Sequence, residues 1–357
     1  MKLNYRLMEP GERPSTAKEF KTGATSFFKR MLGLKPFEFV DPDTNRTYHV
    51  GFWTKHKFKK MLKVAAKSNP TPSQSNFFLY SSALSTTGEI VNASNHEPGI
   101  CKGMHAEEAA TTAVLETGKN ARVQAIAFAG NYPEPIAPCG GCRDVIKEYG
   151  TPDMVMLAGN QKGGKIFLTR ASESYFFDNF TPISQERLSG ANAKAVSEAR
   201  KAESQAHSIY TTQDKVYGAA IVCRNGNIFR GSLALDAAYH PIYPITAARS
   251  NLRDSSNDPE RLDITSLVIV QTGRMPDVPY LDRQQLLELD GLSKAATDRA
   301  GPIPVFMYEL DAEGKIVRVA QTDSDEWLPN AFSVLQLGMG CQLSESAKKL
   351  TSSPSHP

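Results

Sequence analysis

The sequence predicts an α/β protein made of two tandem units, each built around a mixed sheet, and three observations predict it. The chain has 357 residues, enough for two compact cores of roughly 130 to 150 residues each. Apolar runs of strand length alternate with stretches of helical period in both halves, a pattern that makes part of each sheet parallel. Finally, the turn Thr87-Gly88-Glu89-Ile90 has a counterpart in Asn225-Gly226-Asn227-Ile228 about 138 residues later, the mark of a duplicated plan.

Residues 1–52 read as an N-terminal extension with one helix from about Ala17 to Leu32. A first domain follows over 53–180. It opens on a helix from Trp53 to Ala66, where Phe58, Met61, Leu62 and Ala65 recur at helical spacing and Lys55, Lys57, Lys59, Lys60 and Lys63 form a solvated face. Pro70 and Pro72 end it. Asn76–Thr86 and Glu89–Asn92 read as a hairpin turning at Thr87-Gly88. Then come a helix from His105 to Leu115, a buried strand from Val123 to Ala129, a helix from Gly140 to Tyr149, and strands at Met154–Ala158 and Lys165–Thr169.

Residues 181–215 are polar and Ala-rich and read as a helical linker. Residues 216–345 repeat the first plan: a hairpin at Gly218–Ser232, a helix near Ile245–Leu252, and strands at Ile264–Gln271, Pro304–Glu309 and Ile316–Ala320. A flexible tail, 346–357, completes the chain.

Hydrophobic residues make up 40% and charged residues 22% of the chain, the balance of a globular protein with real cores. The formal charge is +3, from 41 Lys+Arg against 38 Asp+Glu. That is too near neutrality for a dedicated nucleic-acid binder, so a free small molecule is the expected partner. No apolar stretch of signal-peptide or membrane-spanning length is present, and a soluble cytoplasmic protein is expected. Five cysteines, two of them in one Cys-x-x-Cys, point to metal or redox chemistry in a reducing compartment and away from a disulfide framework.

His105-Ala106-Glu107 opens one helix and Pro138-Cys139-Gly140-Gly141-Cys142 opens the next. Cys139 and Cys142 are three apart at a helix start, where both sulfurs face one side and the helix dipole favours thiolates. Val145, Ile146 and Tyr149 continue the Cys142 face and turn it inward. One imidazole and two thiolates leave the fourth tetrahedral position of Zn²⁺ open, as a catalytic site requires. Glu107, two residues past His105, is then the general acid and base. A redox pair or half of a zinc ribbon would explain Cys139 and Cys142 alone, but neither accounts for His105 and Glu107.

His-x-Glu followed by Pro-Cys-x-x-Cys is a zinc deaminase signature. On these residues the chain resembles the cytidine deaminase family, and in particular its two-domain, dimer-forming branch. The resemblance implies tandem three-layer α/β/α domains, one Zn²⁺ per chain, a homodimer and a nucleoside substrate. Asn92, thirteen positions before His105, is similar to the family's ribose-contacting Asn, and Phe77 to its pyrimidine-stacking Phe. Ala106 and Cys139 would offer backbone N–H groups to the base, and Ala137 its carbonyl to the amino group.

In the second half, Gly226-x-Ile228-Phe229-x-Gly231-Ser232 and Asp236-Ala237-Ala238-Tyr239-x-Pro241 resemble the family's degenerate domain, with Tyr243-Pro244-Ile245 at the His-Ala-Glu position and no cysteine pair. The resemblance implies that this half lacks zinc, that its segment Asp236–Pro241 covers the partner's pocket, and that Cys223 and Cys341 are plain buried residues. Two departures bear on the substrate. Ser94 stands where the family has a sugar-binding Glu, with Glu97 or Asn95 available to compensate, and Leu79-Tyr80-Ser81 replaces a smaller Val-Gly-Ala and would narrow the pocket floor. Arg143 would temper the thiolate charge or form a surface salt bridge. The competing readings are a polynucleotide cytosine deaminase and a zinc-holding binding protein without turnover.

Overall fold

The computed structural model describes residues 38–40, 47–49, 60–61, 63–65, 67–73, 75–98, 103–130, 136–159, 166–170, 181–183, 190–208, 216–235, 241–254, 262–297 and 299–328. The expected helix at 17–32, the positions Phe58 and Leu62, the segment 236–240, Cys341 and the tail 346–357 lie outside them. The chain divides into two compact units, one holding the elements up to residue 170 and the other those from residue 181.

The first unit begins with a small antiparallel pair, β1 (Glu38–Val40) and β2 (Thr47–His49). Residues 60–61 and 63–65 are helical. Met61 and Ala65, one turn apart, are fully buried while Lys60 and Lys63 are exposed, as the spacing predicts. Next come β3 (Leu79–Ser85), β4 (Ile90–Ser94), α1 (Ala106–Leu115), β5 (Val123–Gly130), α2 (Gly140–Tyr149), β6 (Gly150–Gly159) and β7 (Ile166–Arg170). The sheet order is β4-β3-β5-β6-β7. Only β5 and β6 run parallel, joined by the crossover through α2; the other neighbours are antiparallel.

β3 is buried along its whole length, so its residues sort by face with period two. Ser82 donates to the Met61 carbonyl at 2.8 Å on one face. On the other, Ser85 meets Thr117, just past α1, at 2.7 Å. Helices therefore cover the sheet on both sides. Tyr80 shares the Ser82 face, with burial pushing its hydroxyl up to about 12. Tyr80 pairs with Ser94 across the β3–β4 ladder, so its ring stands on the same sheet face as that substrate-binding candidate.

The second unit comprises β8 (Thr181–Pro182), α3 (Gly190–Ser204), β9 (His207–Ser208), β10 (Gly218–Cys223), β11 (Ile228–Gly231), β12 (Ala234–Leu235) and β13 (Pro241–Ile242). α4 (Pro244–Asp254), β14 (Ile264–Thr272), α5 (Tyr280–Ala296), β15 (Pro304–Leu310), β16 (Ile316–Asp323) and α6 (Ser324–Trp327) complete it. Its main sheet has the order β11-β10-β14-β15-β16-β8. With β8 set aside, strand order and pairing directions repeat those of the first unit's sheet, and β14 and β15 are the only parallel pair of this main sheet. Both hairpins turn on a glycine with positive φ, Gly88 at 91° and Gly226 at 85°, a conformation that costs other residues a clash at Cβ.

The segment expected as a linker is helical from Gly190 to Ser204, and it is a layer of the second unit. Ala195, Ala199 and Ala202 are fully buried, and Ala195 and Ala199 join Ala220, Val222, Val268 and Val270 in one apolar cluster. The approach is close: a Cβ on Gly218 would lie 1.9 Å from the Ala199 carbonyl oxygen. A second cluster, containing Tyr217, Ala219, Ile221, Ile245, Leu267, Leu286 and Leu289, fills the other face under α4 and α5. Cys223 belongs to it as a buried apolar residue, as expected. The unit is thus a three-layer α/β/α sandwich.

Candidate metal centre

α1 and α2 begin where the parallel core of the first sheet ends, and their first turns converge. His105 and Cys139 are the N-cap residues of the two helices, both in extended conformation. The first N–H groups of each helix have no intrahelical acceptor, so both starts present positive potential. The Glu108 carboxylate accepts from the His105 N–H at 3.1 Å and fixes the backbone that carries the imidazole.

The His105 Nδ1 lies 3.2 Å from Cys139 Sγ and 3.3 Å from Cys142 Sγ, and the three ligand atoms lie within 4.8 Å of one another. Ligand bonds of about 2.1 Å to nitrogen and 2.3 Å to sulfur at tetrahedral angles require N···S separations of about 3.6 Å, so this donor set fits one zinc ion with a shift of a few tenths of an ångström. Zn²⁺ is the cofactor these residues hold. Cys142 is buried, Cys139 half-buried and His105 lies at the exposed rim. Hydrogen bonds from Cys142 and His105 hold the Cys139 thiol well below its ordinary range, the state a metal requires.

Glu107 is 3% exposed. Its Oε2 has no hydrogen-bond partner among the described residues, and burial raises its carboxyl to about 7 against the pull of His105. A buried carboxylate oxygen left open beside a metal-binding triad suits a polar reactant.

The inward stripe of α2 differs from the expected one. Cys142, Arg143 and Ile146 are fully buried, whereas Tyr149 is 39% exposed. With the half-buried Cys139 they follow i, i+3, i+4, i+7, one helical face turned by about 60° from the predicted one. Arg143 is therefore no surface residue. Its Nε donates to the Pro138 carbonyl at 2.9 Å and clamps the loop ahead of Cys139.

Ala106 and Ala137 are buried, the first opening α1 and the second preceding Pro138. Asn92 is exposed on β4 and Ser94 buried, sharing one strand face. Phe77 is half-buried against the core. Its N–H donates to Ser75 Oγ at 3.0 Å and its carbonyl accepts from Asn95 Nδ2 at 2.6 Å.

Asn95 also accepts from the Leu79 N–H at 2.9 Å, while the Glu97 carboxylate accepts from the Ser75 N–H at 2.8 Å and from the Ser75 hydroxyl. These bonds correct the expectation that Asn95 or Glu97 stands in for the missing acid at Ser94. Both side chains secure the Phe77 loop instead, a role visible only once β3 and β4 are paired.

At the matching points of the second unit the ligand types are gone. Tyr243 precedes α4 and Pro279 is the N-cap of α5, and the first α4 carbonyl bond, Ala247 N–H to Tyr243 O at 2.9 Å, mirrors that from Ala109 to His105 at 3.0 Å. Among the described residues, His105, Cys139 and Cys142 form the only group that could hold a metal ion. Metal analysis of the purified protein is therefore expected to return one zinc per chain; two would contradict this assignment.

Residues 53–158 match the family model described as the cytidine and deoxycytidylate deaminase zinc-binding region. The chain is 22% identical over 227 residues to a cytidine deaminase of Aliivibrio fischeri, covering 61% of this chain and 71% of that protein. It is 26% identical over 234 residues to a cytidine deaminase of Proteus mirabilis, covering 59% and 71%. Among solved structures, the cytidine deaminase from Burkholderia pseudomallei is 30% identical with a TM-score of 0.28, covering 31% of this chain and 87% of that one. No helix among the described residues is long and apolar enough to cross a membrane.

Proposed function

Because residues 53–158 match the family model of the cytidine and deoxycytidylate deaminase zinc-binding region, we propose that the protein hydrolyses cytidine, deoxycytidine or a close cytosine nucleoside analogue to the uracil compound and ammonia. The observation that carries this reading is the buried Glu107 carboxyl beside the convergent His105, Cys139 and Cys142. His105 Nδ1 and the two sulfurs would hold the zinc, which would supply the Lewis acidity that lowers the pKa of water to about 7.

Glu107 takes the proton of the attacking water on a carboxylate oxygen and delivers it to the N3 position of the pyrimidine. As the water oxygen bonds to C4, that carbon carries a hydroxyl; Glu107 then takes the hydroxyl proton and passes it to the exocyclic nitrogen while the C4–N bond breaks, so that water and cytidine become uridine and ammonia. A carboxyl raised to about 7 by burial is matched to giving and taking protons near neutrality. The N–H groups of Ala106 and Cys139 face the base, the Ala137 carbonyl accepts from the amino group, Phe77 stacks on the ring and Asn92 contacts the sugar. Ser94 offers a neutral hydroxyl there, which weakens the demand for an unmodified ribose.

The test is an ammonia-release assay with cytidine, deoxycytidine and sugar-modified cytosine nucleosides against a cytosine-containing oligonucleotide. Turnover of the free nucleosides is expected, with the oligonucleotide inert. Activity confined to the oligonucleotide would overturn the reading in favour of polynucleotide deamination.

A further inference from the structure

The second unit also brings two helix starts together, and a single carboxylate sits where they meet. Asp282 is the third residue of α5, the place Cys142 holds in α2, and it is fully buried. Its Oδ2 accepts from the Ile245 N–H at 2.8 Å and from the Tyr217 hydroxyl at 2.7 Å. Its Oδ1 accepts from the Thr246 N–H at 2.9 Å and the Thr246 hydroxyl at 2.8 Å. Ile245 and Thr246 are the second and third residues of α4, so their amides lack intrahelical acceptors and form the positive end of that helix.

We propose that Asp282 replaces the metal ion as the tie between the helices of the second unit. In the first unit, side chains at the two helix starts converge as ligands for a cation. In the second the polarity is inverted, and an anion on one helix is gripped by donors from the start of the other. The loop ahead of the helix is otherwise unchanged: Arg283 Nε donates to the Val278 carbonyl at 2.9 Å, as Arg143 does to Pro138. The exchange is confined to the centre itself. Two of the four groups facing the carboxylate are N–H groups with no lone pair to offer, so the centre is closed to a divalent cation. The second unit keeps its packing whether or not zinc is bound elsewhere in the chain.

Hydrogen exchange on the intact chain, resolved by peptide, tests this without any measurement of activity. Chelation of zinc is expected to speed exchange in α1 and α2 and to leave α4 and α5 within about twofold of the loaded protein. Asp282→Asn puts an amide donor against N–H groups and is expected to speed exchange at the start of α4 by at least about tenfold, with zinc content unchanged.

Tyr217→Phe removes one donor of four and keeps the ring, so it is expected to show the same pattern at smaller amplitude; it decides the matter should Asp282→Asn fail to fold. Unchanged α4 protection in Tyr217→Phe or in a soluble Asp282→Asn would overturn the proposal, as would loss of α4 protection on chelation alone.

Discussion

Glu107→Gln is expected to lower kcat for cytosine nucleosides by about 10²- to 10⁴-fold, the range for removing one positioned acid and base, while the zinc content stays as in the parent. Glutamine fills the same volume and can still hydrogen-bond, but it cannot take a proton and return it. The substitution also removes a carboxyl that burial makes costly to ionise, so the melting temperature is not expected to fall. Steady-state kinetics, metal analysis and a thermal melt on one preparation check all three outcomes. Undiminished turnover would remove Glu107 from the mechanism.

Cys139→Ser is expected to lose the metal and turnover together, with an activity loss at least as large as that of Glu107→Gln. A serine hydroxyl stays protonated at neutral pH and is a poor zinc ligand, and the neighbouring donors would be left without their ion. Metal binding free energy is also folding free energy, so the first unit should melt earlier, in contrast to Glu107→Gln. Zinc retained at parental stoichiometry after dialysis against a chelator would exclude Cys139 as a ligand. The two variants together separate proton transfer from metal retention.

The zinc ligands and Glu107 were legible in the sequence because each sits beside a helix start that also announces itself, by Pro138 before Cys139 and by the strand-length apolar runs on either side. The hairpins were legible through Gly88 and Gly226. α5 carries no such signal, and its composition explains why. Asp282, Arg283, Gln284, Asp290 and Ser293 all lie on its buried side, so the apolar period that marks a helix is interrupted where it should be strongest. Arg283 is buried under the Tyr280 and Trp327 rings, 4.5 and 5.0 Å from their centroids, a packing that spacing along one segment cannot reveal.

α3 reads as a helical linker for the opposite reason. Its buried residues are alanines, whose contribution to an apolar pattern is slight. The loop around Phe77 depends on bonds between β3 and the end of β4, and such pairings have no local signature.

The intimate seat of α3 on β10 has a consequence for how the two copies can evolve. Gly218, eight residues before its turn glycine, lets a helix backbone rest directly on the strand; the equivalent position of the first copy holds Tyr80. A recombinant gene that laid the α3 segment over the first sheet would drive a phenol ring into a peptide carbonyl. The halves have thereby lost the freedom to exchange parts, and each is committed to drifting with its own covering layer.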